Sequence, residues 1–149
     1  MKTKSFIIAV TTVLLMIACK DENQAIIDKI SGTWKIEEIT YSQTGQAIPD
    51  SVIKYSTSTF QFDNCALTGS TRQCTGYYNT NGNEKVNIQY GVSASNDETS
   101  ISVMETKIPK INLHGSYKVT VNGNSMTMSG PQSSNPNYQG KTILIKLNK

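Results

Sequence analysis

From Gly32 onward, apolar and polar residues alternate with the two-residue period of strands that bury one face. Eight segments carry this pattern. The first covers roughly 32–41 and places Trp34, Ile36, Ile39 and Tyr41 on its apolar side. The odd step from Ile36 to Ile39 breaks the period, which predicts a bulge. A second strand at 57–64 pairs Phe60 with Phe62 on one face, and a third spans 72–79. The fourth, 84–92, alternates Val86, Ile88, Tyr90 and Val92 with Lys85, Asn87 and Gln89. Weaker alternation follows at 99–105. Segment 116–121 then carries Tyr117, Val119 and Val121, and Met126 and Met128 mark its return strand. The last strand, 141–148, carries Ile143, Ile145 and Leu147. Asn81-Gly82 and Asn122-Gly123 predict tight hairpin turns.

Ahead of the strands, 24–31 reads as one short helix. Asp21 and Gln24 have capping-box spacing, and Ile26, Ile27 and Ile30 share a face. Two long irregular connections are expected, 42–56 and 130–140, the second containing Pro131 and Pro136. Short turns elsewhere imply an up-and-down meander. Eight antiparallel strands with one apolar face can bury it and remove their edges by closing into a barrel. The fold class expected is therefore all-β, an eight-stranded up-and-down antiparallel barrel with a short N-terminal helix, and a two-sheet sandwich is the alternative.

The first 18 residues follow another rule. Lys2 and Lys4 precede an apolar run from Phe6 to Ala18, only 13 residues long and interrupted by Thr11 and Thr12. A membrane-spanning helix needs about 20 apolar residues, whereas a secretory leader needs about 7–15. The run ends in Met16-Ile17-Ala18-Cys19, which resembles the lipobox of bacterial lipoprotein signal peptides. The resemblance implies that Cys19 is lipidated on sulfur and becomes the first mature residue; cleavage without lipid is the alternative. Lys20-Asp21-Glu22 resembles the export signal of surface lipoproteins in the Bacteroidota. It implies an outer-membrane lipoprotein exposed at the cell surface, with a periplasm-facing one as the alternative. The organisation expected is a signal peptide at 1–18, a lipidated tether at 19–23 and one barrel domain at 24–149, the domain a monomer held to the membrane through Cys19.

Removing the leader changes the charge. Lys2 and Lys4 account for two of the 14 basic residues, so 12 remain against 11 acidic ones. No basic cluster is left that would suit nucleic acid. With Cys19 assigned to lipid, Cys65 and Cys74 form an even pair in a compartment where disulfides persist. A metal or redox pair would need closer spacing or more ligands. His114 is the only histidine, no Cys-x-x-Cys occurs, and neither a metal nor a cofactor is expected. Catalysis lacks a base beside a nucleophile, and His114 reads as a surface or strand-end residue. Glu37 and Glu38, adjacent on a strand, are expected on opposite faces and so cannot act as a pair.

A helix followed by Gly32-Thr33-Trp34 and an eight-strand meander resembles the lipocalin-like domains of Bacteroidota lipoproteins, as does the segment from Tyr117 to Met128. The resemblance implies that Trp34 closes one end of the barrel and that the 42–56 connection lies over the open mouth. Lipocalins proper place an arginine near the end of the last strand, over this Trp. Here that region offers Lys146 and Lys149, and the only arginine is Arg72. Phe60, Phe62, Tyr78, Tyr90, Tyr117, Met126 and Met128 are candidates to line a cavity for a small apolar or amphipathic ligand. They are equally candidates for a filled core, because an eight-stranded barrel is just wide enough for either. Asp50-Ser51-Val52 resembles a Bacteroidota O-glycosylation sequon, making Ser51 a possible acceptor. The expected function is ligand binding at the cell envelope without catalysis. The alternative is a filled-barrel interaction module, similar to bacterial protease-inhibitor lipoproteins.

Overall fold

A computed structural model describes residues 22–44, 51–54, 57–69, 72–80, 85–95, 98–107, 112–132 and 138–149. Helix α1 (Glu22–Ile30) leads into nine strand segments: β1 (Gly32–Gln43), β2 (Ser51–Lys54), β3 (Thr59–Phe62), β4 (Cys74–Asn79), β5 (Val86–Ser95), β6 (Glu98–Glu105), β7 (Gly115–Asn122), β8 (Ser125–Gln132) and β9 (Lys141–Asn148). Every pairing is antiparallel, each strand from β3 onward pairs with the next, and β9 returns to β1. That last pairing closes the sheet into a barrel and rules out the sandwich. The closed antiparallel barrel is compatible with a lipocalin-like fold.

Nine segments make eight staves because β2 and β3 share one side of β1. Glu38 to Tyr41 pair with β2, and Gly32 to Lys35 pair with β3. The Ile36 amide bridges the break by donating to the Ser58 carbonyl at 2.9 Å. Part of the expected 42–56 loop is thus a strand. β1 continues to Gln43, and Ser51–Lys54 adds along its edge, so the segment is not one irregular connection. Likewise β8 runs on to Gln132, into what the sequence suggested was loop. The bulge is where the broken period put it: the register of β1 against β9 shifts between Ile36 and Glu38. The extra residue also overturns the expected placement of two acids. Glu37 and Glu38 both lie between inward-facing Ile36 and Ile39; Glu37 accepts from the Asn148 amide, and Glu38 pairs with Lys146 at 2.7 Å.

The inward positions are those of the alternation. Trp34, Ile36, Ile39, Tyr41, Phe60, Phe62, Tyr78, Ile88, Tyr90, Ile101, Val103, Tyr117, Met126, Met128, Ile143, Ile145 and Leu147 are all buried in one core. Helix α1 lies against one end of it, with Ile27 and Ile30 buried and Ile26 half-buried. Burying each isoleucine contributes about 1.5–3 kcal/mol, which holds a nine-residue helix too short to persist alone. The β7–β8 hairpin turns through Gly123 and Asn124, with Asn122 paired to Ser125 and Gly123 at φ +58°. The Asn81-Gly82 turn, the Asp21 cap and the Pro136 loop fall outside the described residues.

Two inward glycines are required by space. A Cβ on Gly76 would stand 2.3 Å from the Gln61 carbonyl oxygen, and one on Gly130 would stand 2.2 Å from that of Ser116. Both neighbours are backbone in adjoining strands and cannot swing aside. Gly76→Ala and Gly130→Ala should each destabilise the fold by about 1–3 kcal/mol or more in denaturant titrations. Gly69→Ala, which meets nothing within 4 Å, should stay within about 0.5 kcal/mol of wild type.

Candidate functional site

The seven candidate lining residues come together, but they pack against each other. Phe60 and Phe62 stack with ring centroids 4.6 Å apart, Phe60 meets Tyr78 at 5.5 Å, and Phe62 meets Tyr90 edge-on at 5.0 Å. A void able to hold a ligand would expose its lining to a water-sized sphere. Phe60, Phe62, Tyr78, Tyr90, Tyr117, Met126 and Met128 each keep at most 1% of their surface exposed. They form the packed interior.

At the end covered by α1, Trp34 is wholly buried and its indole N–H donates to the Ile30 carbonyl at 2.6 Å. Lys149 crosses the outside of the ring, its Nζ 4.4 Å from the centroid, and donates to the Ser31 carbonyl at 2.9 Å. Of the two lysines in the region, Lys149 takes the place over the Trp, while Lys146 lies on the outer surface with Glu38. A cation over indole contributes about 0.5–2 kcal/mol. Beside this end, Cys65 and Cys74 form a disulfide with Cα atoms 5.7 Å apart. In the chain-entropy model, a loop this short contributes about 2.5–3 kcal/mol. The helix is clamped to that loop and to the barrel. The Gln24 amide donates to the Cys65 carbonyl at 3.0 Å and accepts from the Leu67 amide at 2.8 Å, while Asn23 Oδ1 accepts from the Ala94 amide at 3.0 Å.

The opposite end is rich in tyrosine and built around one carboxylate. Glu105, half-buried at the end of β6, accepts from the Tyr78 hydroxyl and the Leu113 amide, both at 2.5 Å. Tyr117 donates to the Leu113 carbonyl at 2.7 Å, and Tyr138 stacks on Tyr41 with centroids 3.7 Å apart. Burial pushes the Glu105 carboxyl upward, opposed by the hydrogen bonds from Tyr78 and Leu113. Burial, reinforced by the Glu105 charge, pushes the Tyr78 and Tyr117 phenols well above their ordinary value of 10.0. Burial raises Tyr90 too, aided by the nearby Asp63 charge; its hydroxyl donates to the Asp63 carbonyl at 2.6 Å. Glu105 was missed, and the signal that could have found it is its place in the β6 alternation after Ile101 and Val103, whereas nothing in the 130–140 segment marked Tyr138 as a packing partner.

The remaining sequence candidates are dispersed. His114 is exposed just before β7, and Ser51 is the first residue of β2, half-buried and paired with Tyr41 rather than in a loop. Cys19 and Asp50 lie outside the described residues. Among the described residues, no group of three or more His, Cys, Asp and Glu side chains is placed to hold a metal ion. No protein-family model, curated protein or solved structure matches the chain.

The three raised phenols set an alkaline limit. Below pH 10 they are neutral in both the folded and unfolded chain and leave stability unchanged. Above it the unfolded chain releases protons that the folded chain retains, so stability falls as pH rises. Urea titrations from about pH 8 to pH 11 should show this fall, and Tyr78→Phe should flatten it. An unchanged slope would show that Tyr78 ionises as freely in the folded protein as in the unfolded one.

Proposed function

We propose that the protein is an envelope lipoprotein, anchored through Cys19, whose barrel acts by contacts made on its outer surface. One observation carries this choice over a carrier of small molecules. The side chains that would have to line a ligand cavity are at most 1% exposed and stacked on one another. Ligand pockets of about 300–1,000 Å³ need a lining that stays open, and here the lining fills the space itself. The leader-like residues 1–18 and the lipobox-like Met16 to Cys19 support the anchor, and the disulfide suits an oxidising compartment. The reading is non-catalytic, with the rigid barrel presenting a surface to a macromolecular partner.

The Cys19→Ser chain gives a soluble form for the test. After incubation with an envelope lipid extract, native mass spectrometry should return the mass of the bare chain. A small molecule retained at one per chain would instead restore the carrier reading.

A further inference from the structure

The disulfide and helix α1 hold the same loop from two sides. The β3–β4 ladder ends at Phe62 and Gly76, and the Asp63 amide adds one further rung to the Thr75 carbonyl at 3.0 Å. Asp63 is pinned again by the Tyr90 hydroxyl on its carbonyl and the Thr75 hydroxyl on its carboxylate, at 2.6 and 3.0 Å. Those bonds keep the strand ends together whether or not the sulfurs are joined. Beyond them the chain leaves the sheet, and the Cys65–Cys74 bridge closes the loop.

Gln24 depends on where that loop stands. Its Nε2 donates to the Cys65 carbonyl and to Asp28 Oδ1 one turn along the helix, each at 3.0 Å, while its Oε1 accepts from the Leu67 amide. Both loop partners lie within two residues of the bridge, so a shift of Cys65 away from Cys74 takes them from Gln24 together. The helix is least able to bear the loss there. With nine residues, α1 is shorter than the roughly 12–15 at which a helix becomes even marginal alone. Its second half is secured by the burial of Ile27 and Ile30 and by the Trp34 bond to the Ile30 carbonyl. Its first turn has exposed Glu22 and Ala25, and is tied down by Gln24 and by Asn23, which accepts from the Ala94 amide.

We propose that the Cys65–Cys74 disulfide is a thiol-reducible latch on the first turn of α1. Oxidised, it locks the helix to the barrel through Gln24; reduced, it lets the first turn go while the barrel stays closed. The reductant is a dithiol. Its thiolate attacks Sγ of half-buried Cys65, since Cys74 is only 2% exposed; the S–S bond breaks, and Cys74 leaves as a thiolate that takes up a proton. The second thiol of the reductant then attacks the mixed disulfide and releases Cys65. The protein gains two electrons and two protons, and the dithiol becomes a disulfide. In the anchored protein proposed above, the first turn is where the chain from Cys19 meets the barrel. On that reading the latch sets how stiffly the barrel is coupled to its anchor.

The full Cys19→Ser chain keeps only Cys65 and Cys74, so hydrogen exchange read by mass spectrometry can compare its oxidised and dithiothreitol-reduced forms directly. Reduction should speed exchange of the Ile26, Ile27 and Asp28 amides, whose helical acceptors are in the first turn, by about tenfold or more. Peptides covering β7, β8 and β9 should change by less than about twofold. Gln24→Ala should give the same acceleration with the disulfide intact, and reducing that variant should add little. The latch is overturned by unchanged exchange at 26–28 on reduction or in Gln24→Ala, by acceleration through β7 to β9 as well, or by full additivity of the two changes. Fractionation of cells tests the anchor apart from this: wild type in the soluble fraction overturns the anchoring and leaves the latch standing.

Discussion

Trp34 is the point at which separate parts of the chain become one structure. Its indole N–H satisfies the Ile30 carbonyl, one of the acceptors that a helix C-terminus leaves without an intrahelical partner. Lys149 covers the ring from outside and reaches the next free acceptor, Ser31. The Lys149 backbone amide in turn donates to Asn124 in the β7–β8 turn. Helix, first strand, last strand and a hairpin thus meet on one side chain. The fold at this end depends on a buried donor having one acceptor in reach and on a cation being available to close over the ring.

The rest of the barrel follows from closure. β1 pairs with β9 on one side and with β2 and β3 on the other, so the interior is sealed all round and its diameter is set by the strand count. Stacked aromatics fill that diameter near the helix end. Toward the other end, Tyr78, Tyr117 and Glu105 bring polar groups into the interior, and these bond to one another and to Leu113. A half-buried carboxylate is tolerable there because a hydroxyl and an amide point at it.

Much of this was legible in the residues. Strict alternation located the inward residues of β1, β3, β5, β7 and β9, and the single broken period at Ile36 to Ile39 marked the bulge. Sequence parity nevertheless misplaced Glu37 and Glu38, because the inserted residue leaves both between two inward isoleucines. β2 was not legible: Ser51-Val52-Ile53-Lys54 is four residues long and follows Pro49, and its pairing is fixed by β1 beyond the bulge. A lysine could be expected near Trp34, but only packing decided that it is Lys149 and not Lys146. The stacking of Tyr138 on Tyr41 was invisible because it is long-range, and Gln24, read only as a capping-box partner of Asp21, bridges to the disulfide loop 41 residues away. The candidate ligand-lining set was gathered in the interior, but the choice between a cavity and a filled core was not legible, since alternation identifies which side chains face inward and not whether they leave room between them.

Whether the barrel is full is the claim on which the functional account turns, and xenon answers it directly. The gas enters apolar cavities in protein crystals and is seen by its anomalous scattering. Crystals of the Cys19→Ser chain pressurised with xenon should show no site among Phe60, Phe62, Tyr78, Tyr90, Met126 and Met128. Ordered xenon between those side chains would reveal a cavity and contradict an account built on a barrel filled by its own residues.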